Sequence, residues 1–268
     1  MSKTIFITGA STGLGHATTR LFAERRWKVI ATMRNPESSE LAHVPNVTLV
    51  PLDVTKPAQI DVAVQRALEL GPVDVVFNNA GYGLIGPLEG LSDEQLVAQF
   101  ETNLLGTIRV TRAFVPAFRE RGSGVFIATT SIGGLTTFPL GSTYHATKWA
   151  LEGWSESLAY ELQEFGIQVK TVAPGSIRTD FSGRSLVIGE HPAYATLLQK
   201  LWAMFKNPAR EAYRSNADQI AEVVWEAATD GKNQVCYLAG DDAKAFVAQR
   251  RELGVEGFRK QIRAMVFG

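Results

Sequence analysis

Tyr144 and Lys148 are the two side chains whose types and spacing most directly suggest chemistry. They lie in Ser142 to Phe165, STYHATKWALEGWSESLAYELQEF, a stretch that reads as one long amphipathic helix. On a helix, a four-residue spacing leaves two side chains about 40° apart in azimuth and about 6 Å apart along the axis, so the phenol and the ammonium share one face. A phenol has a pKa of about 10, and a neighbouring cation favours its ionised form. The pair can therefore act as proton donor and acceptor near neutral pH. A lone Y-x-x-x-K pattern recurs freely as a surface tyrosine beside a solvated lysine. It means catalysis only if the remaining chain supplies a cofactor, a substrate pocket and a third polar group.

A glycine-rich turn is the first sign of a cofactor. The apolar run TIFITG leads into Gly9-Ala10-Ser11-Thr12-Gly13-Leu14-Gly15 and then a helical stretch. Glycines at 9, 13 and 15 allow a tight turn and a close approach to a pyrophosphate, whose charge the free N–H groups of a helix N-terminus would meet. Ser11, Thr12 and Leu14 complete that predicted cradle. The spacing is G-x-x-x-G-x-G rather than the commoner G-x-G-x-x-G. Where an NAD site usually carries an acid for the ribose 2′-OH, the second strand ends Ala31-Thr32-Met33-Arg34. An arginine without an acid predicts a 2′-phosphate and therefore NADP; the alternative is an Arg34 that simply faces water. Asp53-Val54 follows the third strand, where the carboxylate could meet an adenine amino group or cap the turn.

The fourth strand delivers Asn78-Asn79-Ala80-Gly81. Small residues there admit a flat ligand, and the amides can tie strands together. Asn78 reads equally as structural or functional, whereas Asn79, Ala80 and Gly81 read as cofactor contacts. Asn103 falls mid-helix, where Asn is a poor helix former unless its side chain or a local kink has a role. The fifth strand ends at Ser131, beside Ile132-Gly133-Gly134.

These residues must be held by a fold, and 268 residues suffice for one α/β domain with a well-buried core. Val- and Ile-rich runs at Thr4 to Thr8, Lys28 to Met33, Val47 to Leu52, Val73 to Asn78, Gly124 to Thr130, Ile167 to Ala173 and Gln234 to Leu238 alternate with helical stretches. The helices run roughly Gly13 to Arg26, Pro57 to Leu70, Asp93 to Arg121, Ser142 to Phe165 and Asn216 to Thr229. That alternation predicts βαβ units and a mostly parallel seven-stranded sheet with helices on both faces. Residues 1–268 form a single expected domain, with a loop at about 176–215 and a C-terminal extension at about 241–268. Acidic and basic residues balance at 27 each, which points away from nucleic acid and anionic membranes. No apolar stretch is long enough to span a bilayer, and the N-terminus lacks the pattern of a signal peptide. Cys236 stands alone, excluding an internal disulfide and a cysteine zinc site; it reads as a buried residue of a late strand in a cytoplasmic protein. No His or carboxylate pair has a metal-ligand spacing.

Taken together, Thr8-Gly9-x-x-x-Gly13-x-Gly15, Asn78-Asn79-Ala80-Gly81, Ser131 with Tyr144-x-x-x-Lys148, and Pro174-Gly175 with Thr179 resemble the short-chain dehydrogenase/reductase family. The resemblance covers residues 4 to about 180, with a last helix and strand continuing to about 240. YGLIGPLE and HATKWALEGWSESLA resemble its hydroxysteroid/retinol dehydrogenase-like branch. It implies a doubly wound Rossmann fold, NADP(H) as cofactor and a tetrad of Asn103, Ser131, Tyr144 and Lys148. Ser131 would orient the substrate oxygen, Tyr144 would exchange its proton, Lys148 would hold the nicotinamide ribose and favour the phenolate, and Asn103 would support a water relaying protons to Lys148. Pro174, Gly175, Ile177 and Thr179 would line the nicotinamide end.

For the substrate, Phe181, Leu186, Val187, Trp202, Met204 and Phe205 on one side and Leu84, Leu135 and Phe138 on the other suit an apolar ketone, aldehyde or secondary alcohol. His145 and His191 read as rim or structural residues. The two long helices carry apolar faces that in similar proteins join subunits, so a homodimer or homotetramer is expected. Phe246, Val247, Leu253, Phe258, Ile262 and Val266 of the tail could cap the pocket or a neighbouring subunit. The rivals are a non-catalytic NADP-binding regulator, an NAD-preferring alcohol dehydrogenase, and a lyase or epimerase on the same fold. The intact Ser131, Tyr144 and Lys148 argue against the regulator.

Overall fold

Seven short runs of mostly Val, Ile, Phe and Ala become one parallel sheet in the computed structural model, which describes residues 2–178, 185–207 and 213–268. The strands are β1 (Thr4–Ile7), β2 (Lys28–Met33), β3 (Val47–Pro51), β4 (Val75–Asn78), β5 (Gly124–Thr129), β6 (Ile167–Pro174) and β7 (Cys236–Ala239). Their spatial order is β3-β2-β1-β4-β5-β6-β7, and every neighbouring pair is parallel. The chain winds outward from β1 to β3 and then returns to β4 on the other side of β1. In such sheets the crevice beyond the strands' C-terminal ends at this reversal is where ligands bind. The ends of β1 and β4 carry the glycine turn and Asn79-Ala80-Gly81 to that place.

The helices are α1 (Gly13–Glu24), α2 (Pro57–Glu69), α3 (Asp93–Phe100), α4 (Gly106–Arg121), α5 (Ser142–Gln163), α6 (Ala195–Phe205), α7 (Ala217–Thr229) and α8 (Asp241–Phe267). Strands covered on both faces are apolar at every position, not alternately. Thus β1 is buried throughout, with Ile5 and Ile7 packed toward Phe22 of α1 and Val224 of α7, and Phe6 packed toward α2 and Phe114 of α4. The helix ends are capped: Ser92 and Gln95 form a reciprocal capping box, and Gly122 and Gly166 take the left-handed geometry past α4 and α5 (φ 70 each).

Three features differ from expectation. The helix predicted over 93–121 is interrupted by a π turn at Glu101–Leu105. The stretch 176–215, which carries no clear pattern of its own, contains α6 and the short strands Ile177–Arg178, Leu186–Ile188 and Ser215–Asn216. The tail is helical, broken at Gly254 (φ 65, ψ −176). These last two share one cause. Leu201 and Met204 of α6 bury against Phe258, Ile262 and Val266 of α8, a third apolar cluster to which Phe138, Leu140 and Phe246 add. Tertiary packing supplies the stability that local propensity lacks. Leu253, by contrast, is exposed.

Candidate active site

The glycine turn is locked to the end of β4 by backbone-level contacts. Thr8 Oγ1 accepts from Asn79 N (2.9 Å) and Ala80 N (3.0 Å), while Asn79 Nδ2 donates to Thr8 O and Gly9 O (3.1 Å each). Gly9 is left-handed (φ +67), and a Cβ on it would lie 2.8 Å from Ala80 Cα. A Cβ on Gly15 would meet Gly9 O and Asn79 Nδ2. Asn79 therefore ties the loops together through its side chain, and the glycines serve that close approach. Thr12, the N-cap of α1, makes no side-chain cap, and no acid stands in the first turn. Among the described residues, no side chain caps the first-turn N–H groups, which suits an anionic diphosphate. Leu14 is buried in the core, leaving its backbone for a ligand.

Beyond β2, Arg34 is exposed. Asp53 uses Oδ1 to accept from Thr55 N (2.9 Å) and Thr55 Oγ1 (2.7 Å), so it caps the turn. Burial pushes its carboxyl upward, but the two Thr55 hydrogen bonds, with the Arg34 and Lys56 charges, hold it below its ordinary range. Val54 is buried against Gly106 at the start of α4. Asn78 donates to Thr111 Oγ1 (2.9 Å), a structural link between β4 and α4.

The π turn gives Asn103 its orientation. An extra residue in a helical turn re-aims side chains, and such turns occur frequently at functional sites. The buried Asn103 amide accepts from Tyr82 N (3.0 Å) and donates to Tyr82 O (2.9 Å) and Thr147 Oγ1 (3.4 Å). It joins the loop after β4 to the first turns of α5.

Ser131, Tyr144 and Lys148 converge where β5 ends and α5 begins. Ser131 Oγ accepts from Gly133 N (3.0 Å), and its hydroxyl lies near enough to the Tyr144 phenol to lower the phenol's pKa. Gly133 and Gly134 let this turn lie directly on α5: a Cβ on the first would sit 2.9 Å from His145 Nδ1, and one on the second 2.7 Å from Lys148 O. Lys148 is buried, and its Nζ donates to Thr129 O (2.7 Å), 5.9 Å from the Tyr144 ring centroid. Burial lowers the Lys148 ammonium to about 8 against the pull of Glu152 one turn on. Burial raises the Tyr144 phenol above its ordinary value, and the Ser131 hydroxyl only partly opposes this. The sequence expectation that Lys148 draws Tyr144 toward phenolate is therefore not met in the free protein. The ammonium is engaged by a main-chain carbonyl, and desolvation of the phenol outweighs it.

The remaining expected residues fall as follows. Pro174 ends β6, Gly175 N donates to Ala239 O (3.0 Å), and Ile177 pairs with Ser215. Leu84 is almost fully buried in the strand Gly83–Ile85, Leu135 is half-buried beside the Ser131 turn, and Phe138 stacks edge-on with Phe246 (5.4 Å between centroids). Thr179 and Phe181 lie outside the described residues. His145 does more than its sequence position suggests. It is buried with Nδ1 2.7 Å from Gly133 O and Nε2 accepting from Phe138 N (3.0 Å), so the neutral ring fastens the Ser131 turn to α5. Burial lowers its pKa. The flanking Gly133 and Gly141, both of which leave room for the imidazole, were the available signal.

A family model described as short chain dehydrogenase matches residues 3–186. A short-chain dehydrogenase from Streptomyces avermitilis superposes with a TM-score of 0.84 at 34% identity, covering 94% of this chain and 92% of that one. A short chain dehydrogenase from Burkholderia cenocepacia, solved in complex with NADP, gives a TM-score of 0.77 at 26% identity over 100% of this chain and 98% of that one. Human 17-beta-hydroxysteroid dehydrogenase type 1 is 34% identical over 257 residues, 89% of this chain and 78% of that one.

Proposed function

Because this chain belongs to the short-chain dehydrogenase family and is accordingly a dehydrogenase/reductase enzyme, we propose that it transfers a hydride between NADP(H) and an apolar ketone, aldehyde or secondary alcohol, with Tyr144 as general acid/base. The observation that carries this reading is the convergence of Ser131, at the C-terminal end of β5, with Tyr144 and the buried Lys148 on the first turns of α5. The uncapped first turn of α1, with Gly9, Ser11, Thr12, Gly13, Leu14 and Gly15, would hold the diphosphate. Arg34 would take the 2′-phosphate, with Asp53 and Val54 on the adenine side and Asn79, Ala80 and Gly81 along the ribose. Pro174, Gly175, Ile177 and Thr179 would flank the nicotinamide. The NADP-bound Burkholderia relative supports the choice of cofactor.

When bound, the nicotinamide supplies or accepts the hydride. The chain's own groups handle the oxygen. Ser131 donates to the substrate oxygen and orients the carbonyl. Tyr144, protonated in the free protein, gives its proton to that oxygen in reduction and takes one back in oxidation. Lys148, one helical turn away, would hold the nicotinamide ribose and favour the phenolate left behind. Asn103 fixes the loop at Tyr82 and would support the water that reprotonates the pair through Lys148. Leu84, Leu135, Phe138 and Phe181 would bury the apolar body of the substrate, and the human relative's name, a hydroxysteroid dehydrogenase, supports a bulky secondary alcohol or its ketone. We take residues 1–268 as one catalytic domain of a cytoplasmic homodimer or homotetramer. Among the described residues, no helix is long and apolar enough to cross a membrane.

NADPH absorbance followed over a panel of apolar ketones and aldehydes tests the reading. Tyr144→Phe is expected to abolish turnover while NADPH still binds, because only the transferable proton is removed; turnover that survives this change would refute the mechanism. In the same assay Arg34→Ala is expected to erase preference for NADPH over NADH. An unchanged preference would favour the NAD-dependent alternative.

A further inference from the structure

Asp242, in the first turn of α8, reaches across to the segment that follows β6. Its Oδ2 accepts from Ser176 N (2.7 Å) and its Oδ1 from Ala243 N (2.9 Å). The two glycines around it are matched to this contact. A Cβ on Gly175 would fall on the Asp242 carboxylate, and one on Gly240, which is left-handed (φ +103), would lie 2.8 Å from Asp242 Oδ1 and 2.9 Å from Ser215 Oγ. The other end of the Ser176 residue is held as well, since Ser215 N donates to Ser176 O (3.1 Å). Arg214 Nη2 then donates to Ile177 O (2.9 Å), and Ile177–Arg178 pairs with Ser215–Asn216. The run from Gly175 to Ile177 is thus gripped from the C-terminal side by a carboxylate and by a neighbouring strand.

We propose that Asp242 is a positioning residue for the nicotinamide half of the cofactor, through which the C-terminal helix sets the placement of Gly175, Ser176 and Ile177. This rests on the proposed assignment of that segment to the nicotinamide end. The physical reason is that a charged acceptor holds an N–H about twice as strongly as a neutral one, while the two glycines remove any side chain that would push the carboxylate away. A segment that drifts by about 1 Å degrades the alignment of whatever it lines. Asp242 touches no reacting atom and is not a catalytic residue.

The test is a pair of binding titrations on the full chain, one with NADPH and one with adenosine 2′,5′-bisphosphate, which carries only the adenine half. In Asp242→Ala, NADPH affinity is expected to fall about tenfold, the worth of one charged hydrogen bond, while affinity for the adenine half stays at the wild-type value. Asp242→Asn, which keeps one neutral acceptor, is expected to restore about half of the loss on a logarithmic scale. Should Asp242→Ala not fold, Asp242→Ser reads the same ratio, because its hydroxyl is too short to reach Ser176. Equal losses for both ligands would reduce Asp242 to a general stabiliser, and an unchanged NADPH affinity would overturn the proposal outright. A wild-type chain that binds neither ligand would instead sink the cofactor assignment, and this inference with it.

Discussion

Lys148 holds a charge where burial resists one. Its ordinary pKa is 10.5, and in the folded chain burial brings it to about 8, with Glu152 pulling the other way. Between those values the unfolded chain binds more protons than the folded one, so this group's contribution to stability improves as pH rises from about 8 to 10.5. Below about 8 its full cost, about 3 kcal/mol by linkage, is present. Lys148→Met removes that cost but leaves Thr129 O without its donor, a loss of about 1 kcal/mol. The variant is expected to be more stable than wild type by about 1–3 kcal/mol at pH 7, with the margin shrinking above pH 8, and to lack activity. Denaturant melts across that pH range check the trend; a margin that grows with pH contradicts it. The helical spacing of Tyr144 and Lys148 was legible in the sequence because periodicity encodes it. The ammonium's actual partner was not, since a main-chain carbonyl such as that of Thr129 belongs to every residue and marks none.

Among the elements, the π turn at Glu101–Leu105 does the most for the site with the least material. It turns Asn103 inward so that one amide meets both the N–H and the C=O of Tyr82. Asn103→Ala would leave Tyr82 N without its acceptor, while Tyr82 O keeps the Gln99 Nε2 donor (3.0 Å), and we expect a loss of about 1–3 kcal/mol. For a chain of this size that lowers Tm by several degrees, which calorimetry reads directly. A variant that melts with wild type would show that Asn103 does not brace the loop. The sequence pointed to an unusual asparagine here, because Asn is costly mid-helix, yet nothing in its pattern distinguished a π turn from a kink. Helix α6 was invisible for a different reason. Its apolar stripe is buried by α8, whose Phe258 lies more than fifty residues further along, and no local pattern reports a partner that distant.

For the molecule as a whole, the β7 edge of the sheet is secured by a polar lock. Lys170 of β6 is buried, its Nζ donating to Asp230 Oδ1 (2.7 Å), and Tyr237 of β7 donates its hydroxyl to Asp230 Oδ2 (2.8 Å). Burial raises the Asp230 carboxyl, but hydrogen bonds from Lys170, Tyr237 and Lys232 N overcome it and hold the group at about 2. That stability is present above the ordinary carboxylate value of 3.8 and is lost as pH falls through about 2. Asp230→Asn is expected to destabilise the chain clearly at pH 7 and progressively less toward pH 2, and melts across that range decide it. The parallel sheet and its two helical faces followed from alternating β and α patterns, whereas this lock rests on residues drawn from separate elements. The third apolar cluster stands outside both faces of the sheet, built by α6 and the far half of α8 and reaching Phe138 through Phe246. A substitution in that cluster therefore reaches the Ser131 turn by one route, through Phe138 N and the His145 ring, while both sheet cores keep their packing.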